Sequence, residues 1–126
     1  MANNLTNYAE AQLLKWSMTD EAVTRPTVWY IALFSDATDD TGGGTELSGN
    51  GYAREAVDFG TTGATSAADV EFAASGGDWL EATHVAIFDH ATAGNMWWHG
   101  PLSAAKQIDD GDTLTLPAGD IDLSLD

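Results

Sequence analysis

The 126-residue sequence has no cysteine, only four basic residues, and no apolar run near the roughly 18 residues of a membrane span. Without cysteine, disulfides and thiolate metal sites are excluded, and the redox compartment stays undefined. The N-terminus lacks the basic start and apolar stretch of a signal peptide, so we expect neither export nor membrane insertion. The length predicts a single domain over residues 1–126, large enough for a core without cross-links.

The shortage of basic residues produces a formal net charge of −16, from 20 acidic and four basic side chains. Nucleic-acid binders need clustered Lys and Arg, so direct nucleic-acid binding is not expected. Anionic membrane surfaces should also repel the chain. The acidic residues are scattered, which leaves two interpretations open: a solvated surface suited to a saline habitat, or an acidic surface made for a basic partner.

One helix is predicted, over Asn7–Met18, within an N-terminal helix or arm at residues 5–18. Asn7 is the expected N-cap, because Glu10 follows three residues later as in a capping box. A set of apolar residues recurs at helical spacing and predicts one apolar stripe. These residues are Leu5, Ala9, Leu13 and Trp16.

Residues 27–126 have the pattern of a β body, with short apolar or alternating runs separated by glycine-rich turns. The predicted strands lie in residues 27–34, 52–59, 69–74, 83–89 and 96–102, near 106–108, and in two alternating pieces from residue 113 onward. "HATAGN" and the Asp-Gly stretch "DDGD" are expected hairpin turns. The expected fold is mainly β: an antiparallel, jelly-roll-like β-sandwich or a small barrel, with one N-terminal α-helix.

The loop after the first long strand collects several carboxylates, and flexible oxygen-rich loops can bind calcium. The stretch lacks the D-x-D-x-D-G arrangement of an EF-hand, so calcium stands as an alternative to a solvated loop tip. The candidate ligands are Asp36, Asp39, Asp40 and Glu46. No other cofactor is expected. His84, His90 and His99 lack the tight spacing of zinc ligands, which favours polar residues on a sheet face.

Motifs of catalysis are missing. The sequence has no G-x-S-x-G elbow, and "TGGGTE" lacks the Lys-Ser/Thr ending of a phosphate-binding loop. The acidic composition leaves paired carboxylates conceivable, but nothing places one of them in an apolar pocket. We therefore predict no catalytic residues and no enzyme.

The five tryptophans are dense for so short a chain. Trp97 and Trp98 are adjacent on a predicted strand, so their side chains must point to opposite faces. One can enter the core, and the other needs a second packed layer, a neighbouring subunit or a ligand. The residues predicted to lie at an interface are Trp16, Arg54, Trp97 and Trp98.

The segments "VWYIALFSDA", "GTELSGNGYAREAVDF", "THVAIFD" and "GDTLTLPAG" follow one another in an order that resembles a known family. It is a family of small tailed-phage virion proteins, commonly labelled tail fibre proteins. The resemblance covers about residues 5–126, and its most specific part is the G-x-G-Y-x-R step at residues 49–54. It implies a non-enzymatic structural component of the virion.

The resemblance leaves the place in the particle open. A capsid decoration (cement) protein is the first expectation, bound to the major capsid protein as a homotrimer, because the chain is compact and shows no coiled-coil stalk. The alternative is a tail fibre or tail-tip subunit that contacts other tail proteins and the host surface. A third hypothesis is a carbohydrate-binding module that uses Trp97 or Trp98 as a stacking platform.

Arg54 follows the Gly49-Asn50-Gly51 stretch, which is expected to reverse the chain sharply before a strand. We expect its guanidinium to stack on the Tyr52 ring or to pair with a carboxylate of the next strand, inside one subunit. The alternative is that Arg54 crosses a subunit interface.

Overall fold

Two antiparallel sheets and one helix form the structure, a computed structural model that describes residues 4–61, 63 and 65–123. The elements in chain order are β1 (Asn4–Leu5), α1 (Asn7–Met18), β2 (Trp29–Phe34), β3 (Glu55–Val57), β4 (Val70–Ala73), β5 (Ala82–Phe88), β6 (Met96–Lys106) and β7 (Thr113–Leu116). The predicted mainly β fold with one N-terminal helix is confirmed. The sheets stay open and do not close on themselves, so the barrel alternative is wrong.

The larger sheet has five strands in the order β1-β6-β5-β2-β3, and the smaller pairs β4 with β7. All pairs are antiparallel, with Ile31 of β2 opposite Ile87 of β5, and Ile87 opposite Trp98 of β6. The turn between β5 and β6 is the hairpin that "HATAGN" predicted. Because β2 and β5 are central in the sheet, both can be apolar along their whole length.

The main core lies between the two sheets. Its side chains come from alternate positions of β2 and β5, from the small sheet, and from the loops that follow. The most deeply buried large members are Ile31, Leu33, Phe72, Val85, Ile87 and Ile121. The opposite face of the large sheet buries a second cluster of Ala32, Phe34, Ala86, Phe88 and Met96. Because both faces of the large sheet are covered, the β2 sequence "WYIALF" does not alternate between apolar and polar residues.

The helix spans the predicted residues, but its N-cap is Thr6 and not Asn7. The Thr6 Oγ1 accepts a hydrogen bond from the Ala9 N–H at 3.2 Å and donates to the Met96 carbonyl at 2.6 Å. The hydroxyl therefore caps α1 and ties it to β6 with one atom. Thr6 is almost fully buried, whereas Asn7 faces solvent. An N-cap at Asn7 could therefore not make the same link between α1 and β6.

Several predicted strands are shorter or paired differently. The run at 52–59 forms a strand only at β3, so Arg54 precedes the strand instead of lying in it. The "DDGD" turn does not close a hairpin with the segment before it, because β7 pairs with β4. The last predicted strand contributes a single bridge between Thr65 and Asp122, and its residues 124–126 lie outside the described residues. No described helix has the length and apolarity to cross a membrane.

We expect Phe72→Ala to lower the free energy of unfolding by about 3–5 kcal/mol, since the ring is fully buried between the sheets and its removal leaves a cavity. Leu14→Ala, at a solvent-exposed helix position, is the matched control and should change stability by less than about 0.5 kcal/mol. Urea unfolding followed by tryptophan fluorescence measures both. Equal effects of the two substitutions would contradict the placement of the core.

Candidate functional site

The Gly49-Asn50-Gly51 stretch is a turn in which all three residues have positive φ, of 77°, 51° and 81°. Glycine accepts this conformation freely and asparagine better than most residues. The Asn50 carbonyl accepts hydrogen bonds from the Trp79 indole N–H at 2.8 Å and the Ser75 N–H at 3.0 Å. The turn therefore reverses the chain, as predicted, and is held against the segment that leads into β5.

Arg54 leaves this turn and is enclosed by its own subunit. Its Nε and Nη2 atoms each donate to a different oxygen of Glu46, both at 2.9 Å. Its Nη1 donates to the carbonyls of His90 at 3.0 Å and Ala93 at 2.7 Å. The guanidinium carbon lies 3.7 Å from the ring centroid of Phe88. Only 8% of the Arg54 side chain is exposed, and four of its five N–H donors are bonded within the same subunit.

Both internal contacts expected of Arg54 exist, but with other partners than predicted. The aromatic ring is that of Phe88 in β5, not Tyr52, and the carboxylate is Glu46 in the preceding loop, not one on the next strand. Arg54 therefore joins the loop before β3 to the β5–β6 hairpin. This supports the version in which the arginine acts within one subunit.

Tyr52 completes the cluster around Glu46. Its hydroxyl donates to the Glu46 Oε2 at 2.7 Å and accepts a hydrogen bond from the Leu33 N–H at 3.0 Å. Burial raises the pKa of Tyr52, and the hydrogen bond to the Glu46 carboxylate raises it further. The hydroxyl therefore stays protonated and remains a donor to Glu46.

Two of the four candidate calcium ligands are engaged in closing the loop that carries them. Asp36 accepts from the Thr45 N–H at 2.6 Å, and this bond lowers the pKa of Asp36. Asp39 accepts from the Thr41 hydroxyl at 2.6 Å, which lowers the pKa of Asp39, and from the Gly43 N–H at 2.9 Å. Both carboxylates thus order the loop through hydrogen bonds within it.

The other two candidate ligands point elsewhere. Asp40 lies 2.8 Å from Nε2 of the buried His99, whose Nδ1 lies 2.8 Å from the Thr38 hydroxyl. Glu46 is paired with Arg54. Within the described residues no group of three or more His, Asp or Glu side chains is arranged to hold a metal ion. The structure does not bring the four oxygen donors of the calcium hypothesis together.

The three histidines also have separate partners. His84 contacts the Thr83 hydroxyl at 2.9 Å, and His90 contacts Asp89 at 2.8 Å, whereas His99 bonds to the loop described above. They lie on the sheet and at its rim, in agreement with the interpretation that favoured polar sheet residues.

Trp97 and Trp98 point to opposite faces of β6, as predicted. Trp98 packs partly buried against the core between the sheets. Trp97 is only 9% exposed and makes edge-to-face contacts with Tyr8 of α1 and with Trp29, at centroid distances of 5.6 and 5.1 Å. The second packed layer that the tryptophan pair required is therefore the N-terminal helix.

Asp89 receives the indole N–H of Trp97 at 3.2 Å and the Asn95 N–H at 2.8 Å. Burial by itself raises the pKa of Asp89, but the hydrogen bonds from Asn95, His90 and Trp97 outweigh it and lower the value to about 2. A carboxylate with 6% of its side chain exposed thus stays ionised and fixes the β5–β6 turn.

The clearest surface feature is an apolar groove of about 530 Å³ between α1, the segment after it, and the large sheet. Its lining includes Leu5, Leu13, Trp16, Val23, Pro26, Trp29 and Trp98. Only Ala9 of the whole helix is buried, although the helix is rich in large apolar residues. Trp16 is 71% exposed, whereas the other four tryptophans are buried or half-buried. Of the four predicted interface residues, Trp16 is the most exposed, and the half-buried Trp98 lines the same groove.

These features are those of a structural protein: in the described residues the polar clusters of the β body are satisfied internally, and an apolar surface beside the helix is left open. The chain belongs to the family described as podophage GP4 fiber I protein gp80, whose family model matches residues 4–124. Membership confirms the resemblance to phage virion proteins and implies a non-enzymatic fibre component. No curated protein matches the chain.

The family corrects the first expectation about the place in the particle. A capsid decoration protein is not supported, because the family is one of fibre proteins. Compactness favoured the capsid surface, but a fibre can also be assembled from small separate domains. The size of a subunit therefore does not identify its position in the virion.

We expect Arg54→Ala to lower the free energy of unfolding by about 3 kcal/mol or more, because it leaves Glu46 partly buried without its counter-charge. Arg54→Lys should recover only part of the loss, since an ammonium cannot make both parallel bonds to the carboxylate. Lys106→Ala, at an exposed basic residue outside the groove, is the matched control and should melt like the wild type. Unchanged melting of Arg54→Ala together with lost assembly would show that Arg54 acts between subunits.

We expect the stabilisation by Asp89 to depend on pH. Because folding lowers the pKa of Asp89 from 3.8 to about 2, its contribution is complete above pH 4 and is lost as the pH falls through 2. The shift corresponds to a contribution on the order of 2 kcal/mol. Unfolding of the wild type and of Asp89→Asn should therefore differ at pH 5 and converge towards pH 2. A difference that stays constant over this range would contradict the assignment.

Proposed function

We propose that the chain is a small structural subunit of a phage tail fibre that assembles with copies of itself, as a homotrimer, and with other tail proteins. The observation that carries the proposal is the family match over residues 4–124, which spans the helix and both sheets. The same proposal expects no contact with nucleic acid, because the net charge of −16 opposes it.

The internal order of the loops supports a rigid building block. The long loop after β2 is held by Asp36, Asp39 and the Arg54–Glu46 pair without any ligand. The turn after β5 is held by Asp89 and by Arg54. Loops fixed in this way present a constant shape to a neighbouring chain or to a host surface, at little entropic cost on binding.

The position of the aromatic residues favours protein contacts over sugar stacking. A carbohydrate platform needs an accessible ring face, but Trp97 is covered by Tyr8 and Trp29, and Trp98 is half-buried against the core. The exposed tryptophan, Trp16, belongs to the helix and not to a loop tip. We therefore assign the helix side of the molecule to assembly and leave the loop ends for contact with the host.

We expect gold-labelled antibodies against this chain to decorate the tail of intact virions, with a copy number far below that of the major capsid protein. Antibodies against the major capsid protein serve as the matched control and should mark the head. Quantitative mass spectrometry of purified particles supplies the copy number. Labelling over the head, at a copy number comparable to that of the capsid protein, would overturn the proposal.

A further inference from the structure

The apolar groove lies in the least acidic part of the chain. Residues 1–30 contain three of the 20 acidic residues and two of the four basic ones, Lys15 and Arg25, whereas residues 31–126 contain the other 17 acidic and two basic residues. Arg25 lines the groove, and Lys15 precedes the groove residue Trp16 on the same helix. Lys15 has a long contact of 3.9 Å to Glu21, and among the described residues Arg25 has no ion-pair partner. The groove thus combines apolar walls with one arginine that is unpaired among the described residues.

A second exposed apolar residue has the opposite surroundings. Leu80 is 67% exposed and follows directly on Trp79, which is 4% exposed. The Trp79 carbonyl accepts a hydrogen bond from the Gln107 side chain at 2.8 Å, and its N–H donates to the Ile108 carbonyl at 2.9 Å. These two hydrogen bonds fix the backbone next to Leu80. The exposed Leu80 side chain is therefore held in a fixed position.

The rim around Leu80 is acidic. Asp78 and Glu81 flank it in sequence and are both exposed. Asp109 and Asp110 belong to the neighbouring segment, because the Asp110 N–H donates to the Asp78 carboxylate at 2.8 Å. Lys106 at the end of β6 is the one basic residue close by in the strand register. A leucine in an acidic rim is complementary in charge to an apolar groove that carries an arginine.

The two surfaces lie too far apart to meet within one chain. Leu80 lies two residues before the start of β5, where Ala82 pairs with Lys106, whereas the groove residue Trp98 pairs with Ile87 near the other end of that strand. Five residues of strand separate the two pairs, which corresponds to roughly 17 Å. Any contact between Leu80 and the groove must therefore join two molecules.

We propose that Leu80 of one copy binds in the groove beside Trp16 of a second copy, in a head-to-tail contact. Charge selects this partner, because copies that each carry −16 repel one another except where Arg25 in the groove of one meets the acidic rim of the next. Such a heterologous contact uses two different surfaces and closes into a ring when the rotation permits it. A three-membered ring is the homotrimer proposed above, and the inference rests on that self-assembly.

The test uses two variants that each damage one surface, Leu80→Glu and Trp16→Ala. The full chain is examined by sedimentation velocity over a range of concentrations. We expect the wild type to associate, and each variant to weaken the association on the order of 30-fold, as for the loss of a central contact residue. An equimolar mixture of the two variants should form a 1:1 dimer and nothing larger, since it contains one intact groove and one intact Leu80.

Leu14→Ser is the matched control, because Leu14 is 63% exposed on α1 but does not line the groove. It should associate like the wild type, and all variants should keep the wild-type circular dichroism because the altered side chains face solvent. Dissociation by Leu14→Ser but not by Leu80→Glu would overturn the proposal in favour of helix-to-helix packing. Mixed variants that stay monomeric, or a wild type that is monomeric throughout, would also overturn it, while tail labelling of virions would still uphold the fibre assignment.

Discussion

The buried pair of Arg54 and Glu46 is the interaction on which the arrangement of the loops depends. Removing two charges from water is costly unless each finds its counter-charge and its hydrogen bonds, and here every donor group of the guanidinium has an acceptor. That requirement holds three separate segments in register: the loop before β3, the β5–β6 turn, and Tyr52 with its bond to β2. A chain with only four basic residues thus commits one of them to its own interior.

The large sheet is covered on both faces, but unequally. One face is sealed by the small sheet, where Phe72 and its neighbours exclude solvent. The other face carries a thinner cluster, and near its rim the N-terminal helix covers Trp97 but buries little of itself. An amphipathic helix normally buries its apolar stripe, so a helix with one buried residue and several exposed large ones retains surface for a further partner. This asymmetry connects the fold to a role in a fibre assembly.

The predictions about the site succeeded where the physics was local and failed where partners came from distant parts of the chain. The turn at Gly49–Gly51 and the opposite orientation of Trp97 and Trp98 follow from backbone geometry over a few residues. Glu46 was a candidate calcium ligand because it shares a loop with several aspartates, yet its partner is Arg54, and the ring beneath Arg54 is that of Phe88, 34 residues away. The stripe of Leu5, Ala9, Leu13 and Trp16 was recognised, but spacing alone did not show that the body buries only Ala9 of the helix.

The sequence by itself determined the class of structure: one helix, short strands, glycine turns, and a strongly acidic net charge. These properties depend on periodicity, on backbone preferences and on summed charge, all of which are legible without a fold. Only the tertiary structure decided that β7 pairs with β4, that Thr6 links the helix to β6, and which tryptophan remains exposed. Strand order and burial arise from contacts between residues far apart in sequence. Their energies depend on which surfaces finally cover one another, and no local pattern contains that information.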